Sequence, residues 1–238
     1  MRLLVIIPAH NEQESIKSTV EGMKAACPGR DFIVVNDGSS DDTAAICRTN
    51  GYPLLSLPIN VGLAGAFQTG MRYALEHGYE AAMQFDADGQ HLPQFIELLV
   101  ERAEGGADIV IGSRFVSVKK PFNLRMIGSF LISWTIRFTT GRKICDPTSG
   151  MRLYRRGMIE EFASGVNYSP EPDTISYLIK NGALVEEVQV EMAERKAGKS
   201  YFDLGGSMMY MVKMMLSILL IQWFRKRDAR GVRGGERR

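Results

Sequence analysis

The chain reads as an α/β protein with a mostly parallel sheet and helices on both faces. Three observations predict this. Short β-rich runs alternate with helical patterns through the first half, the first run is wholly apolar, and turn residues follow each run. Leu3 to Ile7 is apolar at every position and is cut by Pro8, so it reads as a buried strand. Glu12 to Ala26 has a helical pattern. Asp31 to Asn36 holds a second strand in Phe32-Ile33-Val34-Val35. A short helix over Asp41 to Thr49, a strand over Leu54 to Leu57 and a helix over Gly62 to His77 follow. Ala81 to Phe85 is a fourth strand, Pro93 to Ala103 a helix, and Asp108 to Gly112 a fifth strand. In such sheets ligands bind beyond the carboxyl ends of the strands. Functional residues are therefore expected in His10 to Glu12, Asn36 to Ser39, Asn60 to Gly65, Asp86 to His91 and Ser113 to Phe115.

At 238 residues the chain has the length of one sizeable domain. Its three cysteines, Cys27, Cys47 and Cys145, are scattered and form no C-x-x-C pair. That argues against a zinc knuckle or a disulfide framework and fits a reducing cytoplasm. The run Leu3 to Ile7 is too short for a secretory signal. The net charge is +2, but Arg225 to Arg238 alone carries +5 and leaves −3 on the rest. A basic end after an apolar stretch points to anionic lipid, with a solvated, disordered tail as the alternative.

After Lys119 the pattern changes. Met126 to Phe138 is apolar and helix-like, and Met208 to Phe224 is 17 residues broken only by Lys213, Ser217 and Gln222. A membrane span needs about 20 mostly apolar residues. Both segments therefore read as helices lying on a bilayer, or as one apolar face for a membrane partner. Two buried core helices are the plainer alternative.

Asp86-Ala87-Asp88 follows the fourth strand. Two carboxylates so spaced in an extended loop can turn toward one hard cation such as Mg2+ or Mn2+, with a diphosphate supplying other oxygens. Gln90 and His91 are near enough to complete or orient the set. Asp37, at the end of the second strand, can accept hydrogen bonds from a base or ribose, and Gly38 permits the turn. Pro8 to Glu12 can wall a nucleoside pocket.

These four runs, Val5-Ile6-Ile7-Pro8-Ala9-His10-Asn11-Glu12, Asn36-Asp37-Gly38-Ser39, Asn60-Val61-Gly62 and Asp86-Ala87-Asp88-Gly89-Gln90-His91, resemble family 2 glycosyltransferases of the GT-A fold. The branch they resemble most is that of dolichyl- or polyprenyl-phosphate sugar synthases. The resemblance runs from residue 1 to about 202. It implies a GT-A domain over 1–203 with an interface helix near 122–140, an amphipathic membrane-associated helix over 204–224 and a basic tail over 225–238. It implies that Pro8, His10, Glu12, Val35 and Asp37 line the nucleoside pocket, with His10 standing where that branch usually has tyrosine. Asp86 and Ala87 match donor contacts, and Asp86, Asp88 and Gln90 a metal set of Mg2+ or Mn2+. Arg114 matches a phosphate-binding arginine, and a guanidinium binds phosphate oxygens bidentately. Arg195, in Glu194-Arg195-Lys196-Ala197-Gly198-Lys199-Ser200-Tyr201, resembles a loop that closes over donor and acceptor phosphates. Tyr201 stands where the family has lysine, so either Tyr201 or Lys199, two residues earlier, takes that place.

The resemblance further implies inversion by one in-line displacement. A lipid phosphate is anionic at neutral pH and needs no general base, whereas a sugar hydroxyl needs one. Asp173, in Ser169-Pro170-Glu171-Pro172-Asp173, is the candidate base, although an acid in the first turn of a helix also answers to the helix dipole. Arg125, Arg137 and Arg142 border the first apolar segment and favour a polyprenyl phosphate at the inner face of the cell membrane, with Arg114 and Arg125 on its phosphate. A small integral membrane subunit is a conceivable partner, and nucleic acid is not. A hydroxyl of a lipid-linked saccharide, a non-catalytic nucleotide-sugar-binding subunit and a nucleotidyltransferase are the competing readings. The last lacks its Gly-rich phosphate loop at residues 8–12.

Overall fold

The computed structural model describes residues 1–121, 124–164, 169–193 and 204–221. Among them, seven strands form one sheet in the order β3-β2-β1-β4-β6-β5-β7. The strands are β1 (Leu3–Ala9), β2 (Asp31–Asp37), β3 (Leu54–Leu57), β4 (Ala81–Gln84), β5 (Ile109–Ser113), β6 (Arg152–Arg155) and β7 (Val185–Gln189). All neighbours run parallel except β6, which lies antiparallel between β4 and β5. The helices are α1 (Ile16–Ala26), α2 (Thr43–Thr49), α3 (Gly62–Glu76), α4 (Ile96–Glu104), α5 (Leu124–Thr140), α6 (Arg156–Ser164), α7 (Pro172–Lys180) and α8 (Leu204–Leu216), the last continued by a π turn over Ser217–Ile221.

The apolar run of β1 is buried at all seven positions because both faces of the sheet are covered. Leu3, Val5 and Ile7 pack with Ile16, Val20 and Met23 of α1 and Leu99 of α4. Leu4 and Ile6 point the other way, toward Phe67 and Met71 of α3, Phe162 of α6 and Ile175 of α7. This two-residue alternation separates the two layers of core.

The first five strands and the helices between them lie where the sequence places them, with ends shifted by a few residues. The second half adds elements that the pattern does not announce. β6 is four residues, Arg-Leu-Tyr-Arg, whose terminal arginines hide its strand character. β7, Val-Glu-Glu-Val-Gln, is an edge strand and only its fourth residue is buried. The two apolar segments settle on the sheet and also face outward. Ile132 and Ile136 of α5 and Met214 of α8, with Ile218 beyond it, are buried in the core. Phe130, Trp134 and Phe138 on α5 and Met209, Val212 and Leu216 on α8 are exposed. No helix among the described residues is long and apolar enough to cross a membrane.

Candidate active site

The strand order turns back between β1 and β4, one strand growing the sheet toward β3 and the other toward β7. A cleft opens at such a switch point, beyond the carboxyl ends of the strands. Asp86 sits there, two residues past β4. Its cavity, of about 250 Å3, is lined by Asp86, Gln90 and His91, by Arg114, by Thr148 to Gly150, and by Met126, Ser129, Tyr210 and Met211 of α5 and α8.

The Asp86 carboxylate is held from two sides. Gln84 Nε2 donates to its Oδ1 at 2.8 Å, and His91 Nε2 lies 3.3 Å from its Oδ2. His91 is buried, and its Nδ1 accepts the Asp86 backbone N–H at 2.8 Å. That bond leaves the ring proton to Nε2, facing the carboxylate. Gly150 closes the cavity from above. A Cβ there would stand 2.6 Å from Asp86 Oδ2, so a larger residue at 150 would displace the carboxylate. From the third side, Met192 bridges His91, and the Ala193 N–H donates to the Gln90 carbonyl at 2.9 Å.

Asp88 lies under the turn rather than in the cavity. It is 9% exposed and its Oδ1 accepts the Gln90 N–H at 3.0 Å. Ala87 is buried, and its carbonyl accepts Thr19 Oγ1 at 3.0 Å. Among the described residues no three His, Cys, Asp or Glu side chains gather as a metal set. Asp86, Asp88 and the Gln90 amide are nonetheless hard oxygen donors on one tight turn. They fit a divalent cation that draws its remaining ligands from a diphosphate and water.

Arg114 enters from the end of β5. Its Nε and Nη2 donate to the two oxygens of Asp146 at 2.7 and 2.9 Å, and its backbone N–H adds a third bond at 3.2 Å. Asp146 is wholly buried. Burial pushes its pKa up, but the hydrogen bonds and charge of Arg114 prevail and hold it below the usual carboxylate range. The Asp146 loop is fixed in turn by Glu187 of β7, whose carboxylate accepts the N–H groups of Cys145 and Asp146 at 2.6 and 2.8 Å. The Arg114 guanidinium is therefore a pre-set cation on the cavity wall. Sequence reasoning found Arg114 and missed Asp146 as its holder. The run Asp146 to Arg152 resembles a family loop near the acceptor side, but the burial of Arg152 was not foreseen: it is 1% exposed and donates to the carbonyls of Pro147 and Pro170 at 2.6 and 2.7 Å. A charged residue inside a strand-length run was the available signal, because arginine is seldom buried without a structural reason.

On the nucleoside side, His10 Nδ1 donates to the Asp37 carbonyl at 2.7 Å, and Asp37 Oδ1 accepts the Val61 N–H at 2.7 Å. Three of the predicted loops thus converge. Gly38, at φ +59, presses against the same loop: a Cβ would stand 2.4 Å from the Ile59 carbonyl carbon. Glu12 Oε2 accepts Ser15 Oγ at 2.6 Å, which ties it to the start of α1.

Four of the expected side chains do not face the cavity in this structure. Pro8, Val35 and Ala87 are buried, Val35 with no exposure at all, so their side chains belong to the sheet and core rather than to a ligand surface. Asp173 does not line the cavity. Its Oδ1 accepts the Thr174 N–H at 2.8 Å and its Oδ2 accepts Ser217 Oγ at 2.7 Å, so it fastens α7 to the end of α8. The neighbouring Glu171 carries the perturbed pKa, raised by burial and then by Asp173. Arg195, Lys199, Tyr201 and the side chain of Arg125 lie outside the described residues.

A sheet switch point with an Asp-x-Asp turn, an anchored arginine and a cluster of converged loops is a setting suited to a nucleotide-sugar transferase. The model for glycosyl transferase family 2 matches residues 4–162, and the chain belongs to that family. Within it, the chain is 33% identical over 212 residues to polyprenol monophosphomannose synthase of Mycolicibacterium smegmatis, covering 84% of this chain and 80% of the relative. It is 34% identical over 213 residues to undecaprenyl-phosphate mannosyltransferase of Micrococcus luteus, covering 84% and 87%. These two relatives are polyprenyl-phosphate sugar transferases, and the chain is a glycosyltransferase akin to that branch. The fold is also that of glucosyl-3-phosphoglycerate synthase from Mycobacterium tuberculosis, solved with Mn2+, UDP and phosphoglyceric acid. That match has a TM-score of 0.65 at 20% identity and covers 91% of this chain and 78% of the other.

Proposed function

We propose that the chain moves a sugar from a nucleotide diphosphate-sugar to the phosphate of a polyprenyl phosphate, with inversion, at the inner surface of the cell membrane. One observation carries this reading: Asp86, the Asp146-anchored Arg114 and the apolar residues Met126, Tyr210 and Met211 face a single cavity. A donor diphosphate, an acceptor phosphate and an apolar approach from the membrane side call for those three kinds of wall together.

In the reaction a phosphate oxygen of the acceptor attacks the anomeric carbon from the face opposite the diphosphate. The new carbon–oxygen bond forms as the old one breaks, and the nucleoside diphosphate leaves with the electron pair. No proton needs removal from a phosphate already ionised. Arg114 orients an anionic oxygen, and the Gln84 and His91 contacts hold Asp86 toward the donor. Asp86 and the Gln90 amide, with Asp88 beneath them on the same turn, would hold a Mg2+ or Mn2+ ion, which would neutralise charge on the departing diphosphate. Asp37, His10 and Glu12 are assigned to the nucleoside end, and Arg195 and Lys199 to closure over the phosphates. Transfer to a sugar hydroxyl is the weaker reading. Among the described residues Asp86 is the one carboxylate lining the cavity, and Asp173 is tied elsewhere, so no second acid stands ready as a base.

The exposed apolar face of α8 and Phe138 of α5, together with the basic stretch 225–238, are assigned to the membrane surface. The test is transfer of radiolabel from a panel of nucleotide sugars into purified polyprenyl phosphate with added Mg2+ or Mn2+. Organic-soluble product that disappears with EDTA is expected. Product that forms unchanged in Asp88→Ala with metal removed refutes the metal role, and label found only on saccharide hydroxyls refutes the acceptor.

A further inference from the structure

A second groove, of about 370 Å3, lies beside the cavity between the loop after β5 and the outer face of α5. Its apolar wall comes from Phe115, Phe130, Trp134 and Ile144. Phe130 and Trp134 are 61% and 56% exposed, and Trp134 stacks on Phe138 with ring centroids 5.6 Å apart. Lys119, Lys120, Arg137 and Lys143 supply its polar wall, and none of the described residues lining it is acidic. The nearby acids are already engaged, Asp146 by Arg114 and Glu187 by two backbone N–H groups. The groove therefore offers a hydrocarbon surface edged by four basic side chains, which is complementary to an anionic amphiphile.

Lys120 marks the junction between groove and cavity. Its Nζ donates to Ser129 Oγ at 3.0 Å and to Ser133 Oγ at 3.3 Å. Ser129 lines the catalytic cavity and Ser133 lines the groove, one helical turn apart on α5. The ammonium lies over the Phe115 ring at 5.4 Å. A half-buried lysine is costly unless its charge is used, and burial lowers its pKa here while Asp146 opposes that shift.

We propose that this groove seats the isoprene units nearest the acceptor phosphate, and that Lys120 is a positioning cation that steers the phosphate into the cavity. The inference rests on the polyprenyl-phosphate reading above. It differs from general membrane contact in that the groove holds the reacting molecule itself. A chain leaving the cavity past Ser129 meets Phe130 and Trp134 next, so the lipid's path follows α5 outward.

The test uses the full chain in detergent micelles with two acceptors, undecaprenyl phosphate and geranyl phosphate, at saturating nucleotide sugar. Trp134→Ala is expected to raise the acceptor KM about tenfold for both, with the donor KM unchanged. Lys120→Met is expected to raise the acceptor KM by a similar factor, and Lys120→Arg to restore most of it. An unchanged KM for geranyl phosphate in Trp134→Ala, with lost sedimentation on vesicles of anionic phospholipid, makes the groove a bilayer contact and overturns the proposal. Lys120→Met with unaltered KM and a lowered unfolding midpoint overturns the role of Lys120. If the wild-type chain transfers to neither phosphate, the failure lies in the underlying acceptor reading.

Discussion

Replacing Asp146 by Asn removes one negative charge and almost no volume. The carboxylate is wholly buried and takes three hydrogen bonds from Arg114, at 2.7, 2.9 and 3.2 Å, and a fourth from Thr148 Oγ1 at 3.2 Å. An asparagine offers one acceptor atom and turns an NH2 toward the guanidinium. Breaking a buried pair by altering one partner costs about 3–5 kcal/mol. Arg114 keeps 28% side-chain exposure and can recover some hydration, so a loss of about 2–4 kcal/mol is expected. The pH dependence has a definite sign. The Asp146 pKa is depressed on folding, so its stabilisation is fully present above the unfolded value of about 3.9 and is lost as pH falls through the folded value. Urea unfolding of both proteins should therefore differ by a constant amount from pH 7 to about pH 5, and by less below about pH 4. Initial rates should show a higher acceptor KM, because the guanidinium is no longer held. A variant with wild-type urea midpoint and wild-type KM would refute the assignment of Asp146 as the holder of Arg114. So would a stability gap that widens on acidification.

Three further outcomes are expected. Gly150→Ala should cut kcat at least about tenfold while costing no more than about 1–3 kcal/mol of stability, since the added Cβ meets the Asp86 carboxylate rather than the core; kinetics beside thermal unfolding checks both halves. Asp37→Ala strands the Val61 N–H and should cost about 1–3 kcal/mol and raise the donor KM, read by chemical denaturation and by nucleoside diphosphate titration in a calorimeter. Asp173→Asn should keep kcat within about threefold, because the residue fastens α7 to the end of α8; a drop of about a hundredfold or more returns it to the role of base.

Much of the donor half was legible in the sequence. Parallel strands connect through helices in a regular alternation, so β1 to β5 and their carboxyl ends could be placed by pattern alone. Asp86, Asp37 and Arg114 fell at those ends. The second half was less legible, because its strands are short and carry charge. β6 hides a buried arginine, and β7 is an edge strand whose glutamates face water and the Asp146 loop. Asp173 was ambiguous because an acid in the first turn of a helix has the same sequence signature whether it is a base, a dipole partner or a hydrogen-bond anchor.

The sequence by itself determined the fold class, the family and the turn that carries Asp86, since each depends on local periodicity or on residues close in the chain. Tertiary structure decided what those residues do. It set Asp146 against Arg114 across 32 positions and placed Gly150 over Asp86. It also sent Asp173 to Ser217 across 44 positions, away from the cavity. Such pairings follow from packing between distant segments, where the distances that fix a charge or a hydrogen bond are settled only once the sheet and its two layers have closed.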